Sequence, residues 1–455
     1  MSFFKQDSIA AFLLLIAAAA ALVISNSQYA GWYESLLQSH LGIAFEQWQL
    51  DQSLHHWIND GLMCIFFFVV GLEIKREILV GELASVRKAM LPASAALGGM
   101  VCPALIFALF NWNTDSIGGW GIPMATDIAF AMGCIALLGR RVPPALGVFL
   151  VALAIVDDLG AVAVIAVFYT DQLHFQPLGV GGALIITSLI LNLMGVRKFY
   201  PYALIGLIGW FCFLRSGVHA TVAGVLFAFT IPADARYHRQ FFHDRLTTLL
   251  ARFKDAATDK DMMPVNQQQQ ELIRKIQKEC EHVEAPLQRL EYALHPLSVF
   301  VIMPIFALAN SGVQIPMGQL VELFMQPVTL GVFLGLFFGK QIGITLFAWV
   351  AVKAGLAELP RNISWKQVYA VGCLGGIGFT MALFINELAF SGAKPGVHAA
   401  TEGTALAMNA IYVSEGKLGI LAASILAGIA GLVALRLTCP QPPEGGYDGA
   451  GGHGH

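Results

Sequence analysis

Asp157 and Asp158 adjoin in ALAIVDDLGAVAV, Asp127 lies in GIPMATDIAFAMG, Lys340 in GLFFGKQIGIT, and Asp60 near the start of the run WINDGLMCIFFF. Each of these charges is flanked by apolar residues over a length suited to lipid, where a charged side chain at the bilayer centre costs at least ~2.5 kcal/mol. Each therefore calls for a partner or a task. Neighbouring helical residues point ~100° apart, so Asp157 and Asp158 cannot share one proton face to face, but both can line one aqueous cavity. Burial favours the neutral form of a carboxyl group and a nearby cation favours the ionised form, so protons and cations compete for the same oxygens. A hard cation such as Na+ suits such ligands. The alternative is a pair of structural hydrogen-bond acceptors.

The composition places these residues in a membrane. Of the 455 residues, 56% are hydrophobic and only 13% charged, against the ~25% charged of an ordinary soluble domain, and the mean hydropathy is +0.66. A soluble globular enzyme is excluded. With a net charge of -3 and no basic face, a nucleic-acid partner is not expected. The seven cysteines form no CxxC pair and imply neither a disulfide framework nor a zinc site. The run Ile9 to Ile24 lacks a small-residue cleavage pattern and reads as a retained first span.

Runs long enough for a ~30 Å hydrocarbon core fall near 8-25, 58-80, 90-110, 116-138, 144-169, 177-195, 294-312, 327-350, 364-390 and 417-436, and the stretch 200-231 divides into two short helices at Arg215-Ser216-Gly217. The expectation is an all-α polytopic protein of twelve transmembrane helices. Positively charged loops stay cytoplasmic, and most of the 27 Lys and Arg fall on one side, at Lys5, around Lys75 to Lys88, at Arg140-Arg141, Arg197-Lys198, in 233-290, at Lys353 to Lys366 and at Arg436. Both termini are then cytoplasmic. Outside the spans, 26-53 carries an extracytoplasmic hairpin signal around Ile43, Phe45, Trp48 and Leu50. The transporter domain is expected over 1-438. Inserted in it is a long cytoplasmic loop, 233-290, where Ile273, Ile276, Cys280, Val283, Leu287, Leu290 and Leu294 mark an amphipathic helix kinked at Pro286, lying on the protein or membrane surface in preference to the alternative of a self-pairing coiled coil, for which the heptads are few. The tail 439-455 reads as disordered, its two His weak evidence for a metal.

Two spans contain breaks. Pro123 and Thr126 interrupt the fourth, and Gly372, Gly375, Gly376 and Gly378 are placed to unwind the eleventh, although close helix packing explains glycines equally well. A broken helix carries partial charges at its exposed ends, which Asp127 and Lys340 would compensate. Interrupted helices in matching positions of two halves, here spans 3-5 and 10-12, point to a site at the bilayer midplane. His219, in RSGVHATVAG, is more often a packing or hydrogen-bonding residue than a proton carrier, though it titrates near neutrality. Glu73, Lys75, Arg76 and Glu77 close the cytoplasmic end of the second span, with Glu73-Arg76 and Glu73-Glu77 at helix-neighbour spacing, and Glu291 is placed to join them. Interfacial snorkelling and regulation are the two accounts of this group.

Together ATDIAFAMG, ALAIVDDLGA, SGVHATVAGV, FFGKQIGI, GIGFTMALFI and WINDGLM...FVVGLEIKRE resemble the NhaA-type bacterial sodium/proton antiporters across all twelve spans in order. Inverted repeats with discontinuous helices are a feature of that family. The resemblance implies an inner-membrane protein that exports Na+ or Li+ in electrogenic exchange for external protons, two per cation, activated at alkaline pH and without a cofactor. Asp157 and Asp158 would bind cation and protons, Thr126, Asp127 and Lys340 would support the site and balance the helix dipoles, and Lys340 would pair with Asp157 when no cation is bound. Glu73, Lys75, Arg76, Glu77, His219 and Glu291 would serve pH sensing, and the 40-55 hairpin a homodimer contact. The loop 233-290 and the segment 391-416 are longer than the family pattern.

A proton-coupled symporter of an organic solute is the rival reading, but it needs polar and aromatic groups where Ala, Val, Ile and Leu surround Asp157. An intramembrane aspartyl protease lacks its GxGD setting, and a primary pump lacks GxxxxGK[ST]. A cation channel would differ by flux without proton exchange.

Overall fold

The computed structural model describes residues 2-45, 48-170, 173-234, 239-256, 267-314, 318, 320-360, 363-391 and 402-440. The expected tail, beyond 440, lies outside the described residues. The protein is mostly helical, as lipid requires: backbone groups that cannot reach water must be satisfied within their own segment. Among the described residues nine helices are long and apolar enough to cross a membrane, and the pair Trp365–Gly375 and Phe379–Phe390, bent by 48°, makes a tenth if counted as one span. Two further helices pack inside the bundle. Met63–Val80 carries Glu73, Lys75, Arg76 and Glu77, and Ala220–Thr230 is short. They meet through glycine, because a Cβ on Gly71 would lie 2.7 Å from Ala228 Cβ and one on Gly224 would lie 2.4 Å from Cys64 O.

Backbone meets backbone where Val86–Phe110 packs on Lys340–Lys353. A Cβ on Gly98 would stand 2.1 Å from the Gly343 carbonyl oxygen, and one on Gly343 would stand 2.1 Å from that of Gly98. With no hydrophobic driving force between helices in lipid, small residues gain stability through such close approach. This contact fixes the height of Lys340, the first residue of its helix after the wider turns of Gly335–Gly339.

Four elements differ from the sequence reading. Part of 26-53 is the helix Ala30–Leu37, after which β1, His40–Phe45, pairs antiparallel with β2, Trp48–Ser53, placing Ile43 opposite Leu50 and Phe45 opposite Trp48. The loop 233-290 holds two helices rather than one, Arg239–Asp255 and Gln267–Val283, joined by an Arg245–Glu279 ion pair at 2.9 Å. The second ends before Pro286, which starts a new helix instead of kinking the old one, since proline at a first helical position loses no hydrogen bond. Finally, the last helix runs Glu402–Thr438, fifteen residues ahead of the expected 417. Hydropathy reports the lipid-length part of a helix and is blind to a polar extension.

Candidate functional site

The fourth span begins as a tight 3-10 segment, Asp115–Met124, containing Pro123. The chain is extended at Ala125 and Asp127 before the helix Ile128–Leu138 begins. Opposite it, Trp365–Gly375 ends and Phe379–Ser391 begins. The two breaks cross, with the Asp127 amide donating to the Ile377 carbonyl at 2.7 Å. Asp127 stands at the start of both second halves. Its Oδ1 accepts from the Phe130 amide at 3.0 Å, and its Oδ2 accepts from the Thr380 amide at 3.2 Å and the Thr380 hydroxyl at 2.5 Å. One carboxylate thus meets two helix N-termini, where amides and partial positive charge favour an anion. The glycines of the second break have no left-handed φ, the Gly376 φ being -72°. A Cβ on Gly376 would instead lie 2.6 Å from Leu336 O, and one on Gly378 would lie 2.8 Å from Leu336 Cδ2, so they are there to admit the neighbouring helix.

Asp157 and Asp158 lie in the middle of Pro144–Phe168, 0% and 1% exposed. Asp157 Oδ2 accepts from Lys340 Nζ at 2.5 Å and from the Thr126 hydroxyl at 2.8 Å. Lys340 Nζ also donates to Thr126 Oγ1 at 2.9 Å, and that oxygen lies 2.9 Å from the Gly375 carbonyl at the end of its half-helix. Thr126 has one proton to give, so it can satisfy Asp157 or Gly375 but not both at once. Oδ1 of Asp157 and Oδ1 of Asp158 have no hydrogen-bond partner among the described residues. A buried polar atom in that state costs ~1-3 kcal/mol. Asp157 is held by an ammonium, and each of the two adjacent carboxylates presents an oxygen with no partner among the described residues, chemistry that suits a proton or a small cation.

The remaining residues singled out in the sequence fall in three places. Arg76 Nη1 reaches Glu77 Oε1 at 2.8 Å and its Nε reaches Glu291 at 2.9 and 3.0 Å, while Lys75 Nζ donates to the carbonyls of Phe229 and Ile231. Glu73 faces His295 at 3.3 Å, a partner that spacing along the second span could not reveal. His219 Nε2 donates to the Tyr169 carbonyl at 2.7 Å, and the Tyr169 hydroxyl donates to Gly118 O and accepts from the Gly121 amide. That geometry ties the start of Ala220–Thr230 to the 3-10 segment Asp115–Met124. Asp60 pairs with His56 at 2.9 Å, and this hydrogen bond raises the His56 pKa. Thr380, Glu387 and Lys417 were not picked as site residues: the first is uncharged, and the others fall at the expected edges of the runs 364-390 and 417-436, where an interfacial charge is ordinary.

The family model Na+/H+ antiporter 1 matches residues 1–435. The chain belongs to this family. Among its relatives, the Na(+)/H(+) antiporter NhaA 1 of Saccharophagus degradans is 47% identical over 434 residues, 95% of this chain and 90% of the relative. The NhaA of Oleidesulfovibrio alaskensis is 45% identical over 96% of this chain and 93% of its own length. A solved sodium proton antiporter structure from Methanocaldococcus jannaschii is similar at a TM-score of 0.47 and 13% identity, covering 94% of this chain and 98% of that one. As a member of this family the chain is a multi-pass membrane sodium transporter of the antiporter class.

Proposed function

We propose that this protein exports Na+, and Li+ as a close analogue, from the cytoplasm in exchange for external protons, with both ions competing for Asp157 and Asp158. The observation that carries this reading is the buried carboxylate pair with two unpartnered oxygens beside a lysine and a threonine. When the pair faces the outside, protons neutralise the carboxylates. After reorientation toward a less acidic cytoplasm the protons leave, and Na+ takes the freed oxygens. Lys340 holds Asp157 between turns and yields it as the cation arrives. Asp127 balances the N-termini of the half-helices, so the site keeps its shape through changes of charge. Competition supplies the coupling without a mechanical link.

With two protons exchanged per Na+, each cycle moves one net charge, and the membrane potential contributes ~2.3 kcal/mol per 100 mV. The two bundle helices that fall outside the simple length and composition criterion bring the spans to twelve, with both termini cytoplasmic in a bacterial inner membrane. Spans 3-5 and 10-12 form the inverted repeats. The cluster of Glu73, Lys75, Arg76, Glu77, Glu291 and His295 at the cytoplasmic end sets alkaline activation, with His219 tuning it, and the β1-β2 hairpin provides a dimer contact.

The test is dissipation of a pH gradient in inside-out vesicles at about pH 8.5, on addition of NaCl, LiCl or KCl. Na+ and Li+ should collapse the gradient and K+ should not. Asp158→Asn should abolish the response while leaving the amount of folded protein unchanged. A full response in Asp158→Asn would remove the pair from the mechanism, and no response of the parent protein between about pH 6.5 and 9 would end the exchange reading and favour an organic solute.

A further inference from the structure

A second buried ion pair lies away from the exchange site. Lys417 Nζ meets Glu387 Oε1 at 2.7 Å, with side chains only 11% and 15% exposed. Glu387 sits on the half-helix Phe379–Ser391, whose first turn is bound to Asp127. Seven residues separate Thr380 from Glu387, a rise of ~10 Å. The pair is therefore about two helical turns beyond the crossing, toward the hairpin end of the molecule. Next to it, Asn386 is fully buried. Its Nδ2 donates to Val413 O at 2.9 Å, whereas its Oδ1 has no partner among the described residues and lies against Gly416, where a Cβ would come within 1.9 Å.

Across from the pair stand residues of other helices. His55, just after β2, is within electrostatic reach of both Glu387 and Lys417, and its Nε2 donates to Asn310 Oδ1 at 3.0 Å. Asn310 Nδ2 in turn donates to Asn59 Oδ1 at 2.9 Å. A line of amides and charges in an otherwise apolar bundle is costly to keep, and intramembrane polar residues of this kind mark ion pathways. The arrangement repeats the logic of the exchange site: a carboxylate held by a lysine, beside an unsatisfied oxygen.

We propose that Glu387 is an outer cation site, the carboxylate through which Na+ passes between Asp158 and the exterior, with Lys417 setting how readily it is released. This rests on the exchange reading above. A negative group in a narrow low-dielectric path concentrates cations at its mouth, and a lysine paired with it opposes that effect. The two single variants should then act in opposite directions and on one face only.

The experiment compares Glu387→Gln and Lys417→Gln in proteoliposomes, with exchange driven by Na+ added to the outer or to the inner face. Glu387→Gln should raise the apparent KM for Na+ on the outer face about threefold or more, and Lys417→Gln should lower it, with the inner-face KM unchanged in both. Glu387→Asp, which keeps the charge, should return the outer KM toward the parent value and serves as the decisive variant if Lys417→Gln does not fold. Equal shifts on both faces, shifts of the same sign in Glu387→Gln and Lys417→Gln, or a Glu387→Gln protein indistinguishable from the parent would each overturn the outer site while leaving the exchange reading intact. A parent protein that shows no Na+-driven exchange removes both.

Discussion

The Asp157–Lys340 pair is held where neither charge reaches water, both residues being 0% exposed. Removing one partner of a buried pair leaves an uncompensated charge and costs ~3-5 kcal/mol, whereas replacing both is far milder. Lys340→Met should therefore lower the thermal unfolding temperature of the purified protein markedly, and adding Asp157→Asn to it should recover much of the loss. If the double variant is no more stable than Lys340→Met, the two charges are not energetically coupled. These residues were legible in the sequence because a charge among apolar neighbours has no inexpensive explanation. Thr380, which supplies both an amide and a hydroxyl to Asp127, was not, since a lone threonine costs little in a helix of this kind. Glu73 shows the opposite limit. Its helix spacing pointed to Arg76 and Glu77, but its partner His295 comes from a helix more than two hundred residues away.

Between residue and fold, the helices place Lys340 through contacts that contain no charge. Gly98 and Gly343 let Val86–Phe110 and Lys340–Lys353 approach until each backbone nearly touches the other. Gly98→Ala should push the helices apart, cost ~1-3 kcal/mol as overpacking does, and slow Na+-driven exchange by shifting Lys340 away from Asp157. Gly147 supplies the control, because a Cβ there meets nothing within 4 Å; Gly147→Ala should be neutral or stabilising by ~0.5-1 kcal/mol. Equal melting temperatures for the two variants would show that the close contact does not position the site. The breaks themselves were readable from Pro123 and from the run Gly375 to Gly378. Their physical cause was only half readable: Gly376 and Gly378 make room for Leu336, a neighbour that a single sequence cannot display.

For the molecule as a whole, the distribution of Lys and Arg argues that the 233-290 insertion and both termini share one side, and that the β1-β2 hairpin lies on the other. A charge bias of this kind is set by crossing the membrane and needs no tertiary contact, so it is the sequence that offers the sidedness to be tested. Of the two helices in the insertion it carried the amphipathic Gln267–Val283 but not its neighbour Arg239–Asp255, which is rich in charge and shows no lipid-length apolar run. The insertion offers a direct test of sidedness. Cys280 is exposed on the second of those helices, while the other six cysteines are buried or only partly exposed. A membrane-impermeant maleimide should label the protein in inside-out vesicles and fail to do so in right-side-out vesicles, and Cys280→Ser should remove the label. Labelling confined to right-side-out vesicles would invert the topology, placing the Arg76–Glu291 cluster outside and the Glu387–Lys417 pair on the cytoplasmic side, and the direction of exchange assigned to each cluster would have to be exchanged with it.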